Sequence, residues 1–254
     1  MTGGISRSSG HWMDLLLTDD PTGDQAANLA LEEALVRAGL ARPLLRIWRN
    51  DRCVVIGRAQ RVAREVNLTA CAAGGVPVLR RSSGGGAVYQ DLGNLNITLA
   101  APGRVFGLAA DLADLVTGVI AGFGLPARAA DRGVFVATAK VSGLAGQVTR
   151  DGSLAHATLL VTTPAERVGA FLAPAPADSH PADSRRSPVA ALRDLRCEVS
   201  VAAVRYAVLA EAARRFGRLR RRPLTDPERH CQQRLLTERY SIASWHRTGQ
   251  MKET

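Results

Sequence analysis

The sequence predicts an α/β protein of the α+β type, a mixed β-sheet flanked by helices, and three observations carry that expectation. Strand-length apolar runs interleave with longer runs at helical spacing. Hairpin-like turns, not regular strand-helix-strand units, join several of the strands, which argues against a doubly wound sheet. The chain has 254 residues, enough to bury a substantial core without disulfides or metals.

Residues 23–41 carry Ala27, Leu29, Leu31, Ala34, Leu35 and Ala38 at helical spacing, with Asp24 placed to cap the start. Leu44–Trp48 and Cys53–Ile56 are β-rich and flank the turn-like Arg49-Asn50-Asp51-Arg52, so they read as a hairpin. Residues 76–80 and 94–100 read as further strands, and Val105–Phe123 as a long helix. Gly133–Val136, Lys140–Val148 and Leu154–Val161 form a strand set, with Arg150-Asp151-Gly152-Ser153 as the turn between the last two. Residues 173–188, rich in Pro, Ala, Ser and Asp, are expected to be a mobile loop. Ser200–Phe216 and Asp226–Tyr240 read as helices, joined by the arginine-rich stretch 217–223. No repeat breaks the chain, so a single catalytic-type domain is expected over 1–254.

Several function classes drop out. Four cysteines without a C-x-x-C pair and five histidines without H-x₃₋₅-H spacing exclude a disulfide framework and argue against a zinc site. No apolar run reaches the roughly 18–20 residues of a spanning helix, and the first twenty residues lack the basic-then-apolar order of a leader. The expectation is a cytoplasmic protein without a membrane partner. P-loop, H-E-x-x-H and G-x-G-x-x-G signatures are absent. The net charge of +10 points to an acidic partner or substrate. Among 33 Lys and Arg residues, lysine occurs at Lys140 and Lys252 alone. Lys252 reads as solvated tail; Lys140 reads either as a surface lysine or as a point charge beside a small anion.

Two stretches concentrate the remaining chemistry. Arg80 and Arg81 precede Gly84-Gly85-Gly86, and Val88-Tyr89 returns to a strand pattern. Glycines at a strand end let backbone N–H groups approach a ligand, and guanidiniums bind phosphate or carboxylate. A triple glycine alone marks a tight turn; with two arginines before it, it suggests an anion cradle. The second stretch is Lys140 with Ser142, Gly143 and Gly146, small residues that admit a ligand beside the lysine. For His156, a neutral histidine hydrogen-bonded near the core and a ligand contact both fit. Fixed cations at one centre suit the transfer of a phosphate-bearing group.

The runs RRSSGGGAVYQDLGNLN (80–96), LRIWRNDRCVVIGRAQRVAREVN (45–67) and KVSGLAGQVTRDGSLAHATLLV (140–161) resemble the lipoate-protein ligase A family, within the biotin/lipoate ligase superfamily. A weaker resemblance extends to 238–250. It implies a mixed sheet flanked by helices and an enzyme that joins lipoate or octanoate to ATP, with Mg2+, as an acyl-adenylate. The acyl group would then pass to a lysine of an acidic lipoyl acceptor domain, in 2-oxoacid dehydrogenase E2 subunits or the glycine cleavage H protein. Carried over by residue, Arg81, Gly86, Ala87, Val88 and Tyr89 would hold the nucleotide. Lys140 would contact both the acyl carboxyl and the α-phosphate as the catalytic residue, and Arg80, Gly85, Ser142, Gly143 and His156 would line the acyl site.

The sequence departs from the family at three points. Gln90 stands where His is usual, and Ala157 where Gly is usual. Arg132-Gly133 stands where an Asn-Asp pair precedes the lysine strand, which removes a carboxylate from the region of magnesium and phosphate. The chain also ends where many members continue into a small C-terminal accessory domain, so a separate accessory subunit is a further expected partner. The competing readings are an ATP-independent octanoyl or lipoyl transferase working through a cysteine thioester, and a non-catalytic carrier-binding paralogue. Nucleic-acid binding by 214–222 is the weakest, because no aromatic residues interleave with the arginines.

Overall fold

The computed structural model describes residues 12–18, 24–175, 177–178 and 180–251. Residues 1–11 and 19–23, on which the reading of the N-terminal stretch rests, lie outside the described residues, as do Lys252 and two positions of the 173–188 loop.

Strand β1 (Trp12–Thr18) precedes helix α1 (Gln25–Arg37), and Asp24 caps that helix by accepting from the Ala26 amide. Strands β2 (Leu44–Trp48) and β3 (Cys53–Ile56) form where expected. Short helices α2 (Val62–Glu65) and α3 (Leu68–Gly74) lead to β4 (Val78–Arg80), β5 (Val88–Gln90) and β6 (Asn94–Pro102). The long helix α4 (Leu108–Gly122) is followed by β7 (Ala127–Ala130), β8 (Gly133–Val136), β9 (Ala139–Val148) and β10 (Gly152–Leu160). The chain continues through α5 (Ala165–Phe171), α6 (Val201–Phe216), β11 (Arg218–Arg221), α7 (Asp226–Leu235) and α8 (Ala243–Thr248).

These strands make two sheets. The larger runs β11-β1-β2-β6-β10-β9-β8-β7, parallel across its first three strands and antiparallel thereafter. The smaller runs β4-β3-β5. The expected hairpin is therefore corrected: β2 lies between β1 and β6, while β3 lies in the other sheet. Every residue of both strands is buried, so each needs a ladder partner on both sides and neither can be an edge of a two-stranded unit. Asn50 in the connection is itself buried, held between Asn28 and Gln90, and carries the chain from one sheet to the other. The stretch 217–223, read as a connection, forms the edge strand β11 beside β1.

Alternation along the central strands sorts the large sheet into two unlike faces. Leu45, Ile47, Leu95, Ile97 and Leu99 pack with Leu112, Leu115 and Val119 of α4 and with Val204 and Val208 of α6. The intervening residues, Arg46, Trp48, Asn96 and Thr98, are just as buried but face α1 and the small sheet, where Arg46 bonds Asn28 and Thr98 bonds Glu32. The first face is a conventional core. The second is a lined, polar space.

Arg80 anchors the C-terminal helix to that space. Its guanidinium donates to five carbonyls, those of Gly57, Arg58, Gln60, Trp245 and Arg247, and Trp245 Nε1 returns a bond to the Arg80 carbonyl at 3.0 Å. A lysine can reach only part of that set from a single point. Arg80→Lys is expected to lower unfolding stability by ~3 kcal/mol, measured by urea denaturation. A loss within experimental error would show that the carbonyls find other partners.

Candidate functional site

Between the polar face of the large sheet, the small sheet, α1 and the segment 180–189 lies a cavity of about 1060 Å³. Arg81, Gly85, Gly86, Ala87, Val88, Tyr89, Lys140, Gly143 and His156 all line it. Two sequence candidates do not. Arg80 is spent on the carbonyls just described, and Ser142 is 1 % exposed within β9 with no partner for its hydroxyl.

The glycine loop owes its shape to Arg81. This buried side chain donates from Nη2 to the carbonyls of Gly84 (2.7 Å) and Gly86 (2.8 Å), and from Nη1 to that of Val55 (3.2 Å). Burial depresses the Arg81 guanidinium to about 10, and Glu32 and Glu65 oppose that fall, so it stays charged at neutral pH. Gly85 has φ +88°, and a Cβ there would lie 2.7 Å from the Ala145 Cβ, so the position demands glycine. The Ala87 amide donates to Ser184 Oγ at 2.7 Å, and that hydroxyl donates to Glu65 Oε2 at 2.5 Å. Ser184 belongs to the 173–188 segment, and sequence reasoning gave it no role. Arg64 with Asp178 and Asp183, and Arg186 with Glu65, tie the same segment down.

Lys140 sits on β9, clamped through its own backbone. Its N–H donates to the Pro188 carbonyl at 2.8 Å, and its carbonyl accepts from Ala190 at 3.2 Å. Its side chain runs through space that Gly133 leaves open, because a Cβ at Gly133 would overlap Lys140 Cε and lie 2.6 Å from the Ser142 carbonyl. The Gly of Arg132-Gly133 thus makes room for the lysine. Asp131 and Arg132 also line the cavity, both at positive φ, so a carboxylate is present one residue before the sequence position in question. Asp131 is ion-paired with Arg185. Burial pushes the Lys140 ammonium below its ordinary value; Asp131 partly restores it and Arg132 depresses it further.

His156 is the middle of a chain of hydrogen bonds. Arg81 Nε donates to Ser83 Oγ at 3.1 Å, Ser83 Oγ lies 3.0 Å from His156 Nε2, and His156 Nδ1 lies 2.5 Å from Glu32 Oε2. Because Glu32 accepts and Ser83 already receives the arginine's proton, the Ser83 hydroxyl can donate to Nε2. Glu32 was missed by sequence reasoning. Its signal was there: Glu32 and Glu33 lie side by side inside the apolar run of α1, and both are buried. Burial raises the Glu32 carboxyl, but His156, Arg46 and the Thr98 hydroxyl together outweigh it and hold it below its ordinary value.

The rest of the chemistry is quickly placed. No cysteine is among the residues lining the cavity, and burial raises the thiols of Cys53, Cys71 and Cys197. Among the described residues no group of three or more His, Cys, Asp or Glu could hold a metal ion. No helix of the described residues is long and apolar enough to cross a membrane. In the basic 214–222 stretch, Arg214 and Arg215 pair with Glu211, and Arg222 with Asp14 and Glu228.

The glycine loop and Lys140 line the same cavity as the apolar Leu29, Trp48, Val55 and Val88, so a cationic end and an apolar wall share one space. Residues 24–213 match the family model described as lipoyl protein ligase A/B catalytic domain, and the chain belongs to that family. A curated relative from Aeropyrum pernix, provisionally named lipoate-protein ligase A, is 41 % identical over 162 residues, 60 % of each chain. The chain thus spans about 60 % of the length of that relative. A structure from T. acidophilum, provisionally assigned as a lipoate protein ligase and holding lipoic acid, superposes with a TM-score of 0.82 at 28 % identity, covering 93 % of this chain and 99 % of that one. A lipoate-protein ligase A bound with ATP gives 0.82 at 28 %, covering 93 % and 98 %. A bipartite lipoate protein ligase from Thermoplasma acidophilum, described with its E2 lipoyl domain, gives 0.81 at 29 %, covering 96 % and 99 %.

The Glu32–His156 pair yields a pH prediction. A carboxyl held lower in the folded than in the unfolded state contributes stability that is full above its unfolded value, about 4.3, and is lost as pH falls through the folded value. Glu32→Gln is therefore expected to cost ~2 kcal/mol near neutral pH, with the difference from wild type shrinking in acid. Urea unfolding between about pH 7 and 3 measures it. A difference that is constant in pH would remove the charge from the explanation.

Proposed function

We propose that the chain is the catalytic part of a lipoate-protein ligase. The observation that carries this is the meeting, in one cavity, of the glycine loop at Gly86 and Ala87, the ammonium-bearing Lys140 and an apolar wall. In the first half-reaction a carboxylate oxygen of lipoate or octanoate attacks the α-phosphorus of ATP, and pyrophosphate leaves. Lys140 sits between the two anions and lowers their repulsion, while the glycine-loop amides receive phosphate oxygens. In the second, the amine of an acceptor lysine attacks the acyl carbon, AMP leaves, and a proton is released.

Arg81 acts as the loop's scaffold, and Gly143 keeps the lysine's strand open to ligand. His156, held by Glu32, lines the acyl side. The Ala87 amide is engaged by Ser184, so nucleotide entry requires the 180–189 segment to exchange that hydroxyl for phosphate oxygens. Mg2+ enters with the nucleotide; Asp131 is the carboxylate nearest in sequence to the lysine strand that would face it, and the ion's chemistry is to neutralise phosphate charge. We place the protein in the cytoplasm, with acidic lipoyl domains of E2 subunits or H protein as acceptors and a separate accessory subunit as a further partner. The bipartite relative described with its E2 lipoyl domain supports the E2 acceptor and the two-part arrangement.

Two experiments test it. Purified protein incubated with ATP, Mg2+ and lipoate should form an acyl-adenylate detectable by mass spectrometry. Lys140→Arg should reduce that yield at least a hundredfold while leaving the fold intact by circular dichroism, since a planar fork cannot take an ammonium's point position. Near-normal adenylate from Lys140→Arg would end the assignment of Lys140. Transfer to an acceptor domain below saturation should slow as salt is raised, because complementary charge mainly speeds encounter; adenylation should change less. Transfer flat in salt would mean that the basic surface does not dock the acceptor.

A further inference from the structure

Four arginines line the cavity: Arg81, Arg132, Arg185 and Arg186. Three are engaged, Arg81 with the carbonyls of the glycine loop, Arg185 with Asp131 and Arg186 with Glu65. Arg132 is exposed and has no carboxylate within ion-pair distance among the described residues. Its charge reaches Lys140, whose ammonium it depresses while Asp131 partly restores it. Two neighbouring cations without carboxylates of their own gain most from an anion that carries several negative charges. A monocarboxylate satisfies one of them and leaves the other.

The backbone holds Arg132 in an uncommon conformation. Asp131 and Arg132 are consecutive left-handed residues, with φ +40° and +56°. The Arg132 carbonyl accepts from the Leu144 amide at 2.8 Å, which pins the turn between β7 and β8 to β9. The next residue along β9, Ala145, is the one that a Cβ on Gly85 would strike. The turn and the glycine loop therefore abut adjacent residues of the strand that also carries Lys140. Order across the sheet gives a direction. Trp48 of the apolar wall is on β2, His156 on β10, Lys140 on β9, and Arg132 immediately precedes β8, while the strands run β2-β6-β10-β9-β8. Moving away from Trp48, Arg132 comes after Lys140. An acid with its tail toward that wall and its carboxyl at the ammonium directs the phosphates of its co-substrate to the Arg132 side.

We infer that Arg132 binds the β- and γ-phosphates of the nucleotide, and the pyrophosphate they become, while Lys140 serves the carboxyl and the α-phosphate. The inference rests on the ligase reading. When a carboxylate oxygen attacks the α-phosphorus, the bond from that phosphorus to the bridging oxygen breaks, and the bridging oxygen keeps the electron pair. Charge grows on the departing pyrophosphate, where a guanidinium already in place stabilises it. A planar fork meets phosphate oxygens two at a time, a geometry that an ammonium does not offer.

The test is calorimetric titration with ATP, AMP and inorganic pyrophosphate, in EDTA so that the protein's own charges are read. Arg132→Gly removes the side chain and suits the left-handed backbone. It should weaken ATP and pyrophosphate about tenfold, as expected for lost hydrogen bonds to a charged group, and AMP by less than about twofold. Arg132→Lys should recover part of the loss. Arg128→Ala is the control: the Arg128 guanidinium lies 5.4 Å from the Phe135 ring centroid and Lys140 Nζ 5.7 Å from the same centroid, yet Arg128 does not line the cavity. It should leave all three affinities unchanged. ATP binding unchanged by Arg132→Gly, equal losses for ATP and AMP, an equal loss from Arg128→Ala, or a wild type that binds neither ATP nor pyrophosphate overturns the inference. Adenylate formation by wild type judges the ligase reading separately: the expected binding pattern without adenylate sinks that reading and leaves a polyphosphate site. Should Arg132→Gly fail to fold, the Arg132 Nε–H signal of ¹⁵N-labelled wild type decides. It shifts with pyrophosphate and not with AMP; no shift, or equal shifts, overturns the inference.

Discussion

Everything at the site depends on burying a polar face of a β-sheet without leaving its groups unpaired. Arg46, Asn94, Asn96 and Thr98 are as dry as the leucines on the opposite face. A buried polar group without a partner costs more than a well-made hydrogen bond returns, so such a face is tolerable only as a connected network. Glu32 and Arg46 serve as its charged ends. Glu32 takes bonds from Thr98 and His156, and Arg46 bonds Thr18, the Asn28 carbonyl and the Asn28 side chain. What lines the cavity is first a solution to a burial problem.

The second constraint is close approach of backbone to backbone. A Cβ on Gly57 would overlap the Gly85 carbonyl, one on Gly85 would strike Ala145, and one on Gly133 would displace Lys140. These contacts bring the glycine loop, the lysine strand and the small sheet together around one volume. Rigid strands position the loop on both sides, and Arg81 fixes its interior. The partner on the open side is the 180–189 segment, whose Ser184 and Arg186 both return to Glu65. The two walls differ in kind: one is set by steric necessity, the other by ion pairs and hydrogen bonds that a ligand can replace.

Local patterns made much of the fold legible, and pairing made the rest illegible. Helices α1, α4 and α6 announce themselves by periodicity, and β8, β9 and β10 by alternation around a turn. The link between β2 and β3 misled because the turn chemistry of 49–52 says that the chain reverses, not which sheet it enters. The short helices α2, α3, α5 and α8 carry too few residues for a period to emerge against background. At the site, Lys140 and the glycine loop stood out by composition. Glu32 hid inside an apolar stripe, and Ser184 hid inside a stretch that reads as low in structure, because their significance comes from partners more than a hundred residues away.

The contrast between arginine and lysine ties these levels together. Arg46, Arg80 and Arg81 are buried and meet carbonyls or amides through several donors each, a task that needs a planar fork. None of the three presents a free charge to the cavity; they build its walls. Lys140 is different in kind, since burial lowers its hold on the proton and Gly133 gives its stem a channel. Its ammonium has no carboxylate partner within ion-pair distance among the described residues, and Asp131, the carboxylate that supports it, is already paired with Arg185. An under-compensated point charge in a partly dry cavity is stabilised by whatever anions enter. The buried arginines that hold the walls together are thus distinct from the ammonium that lines the cavity without a carboxylate of its own.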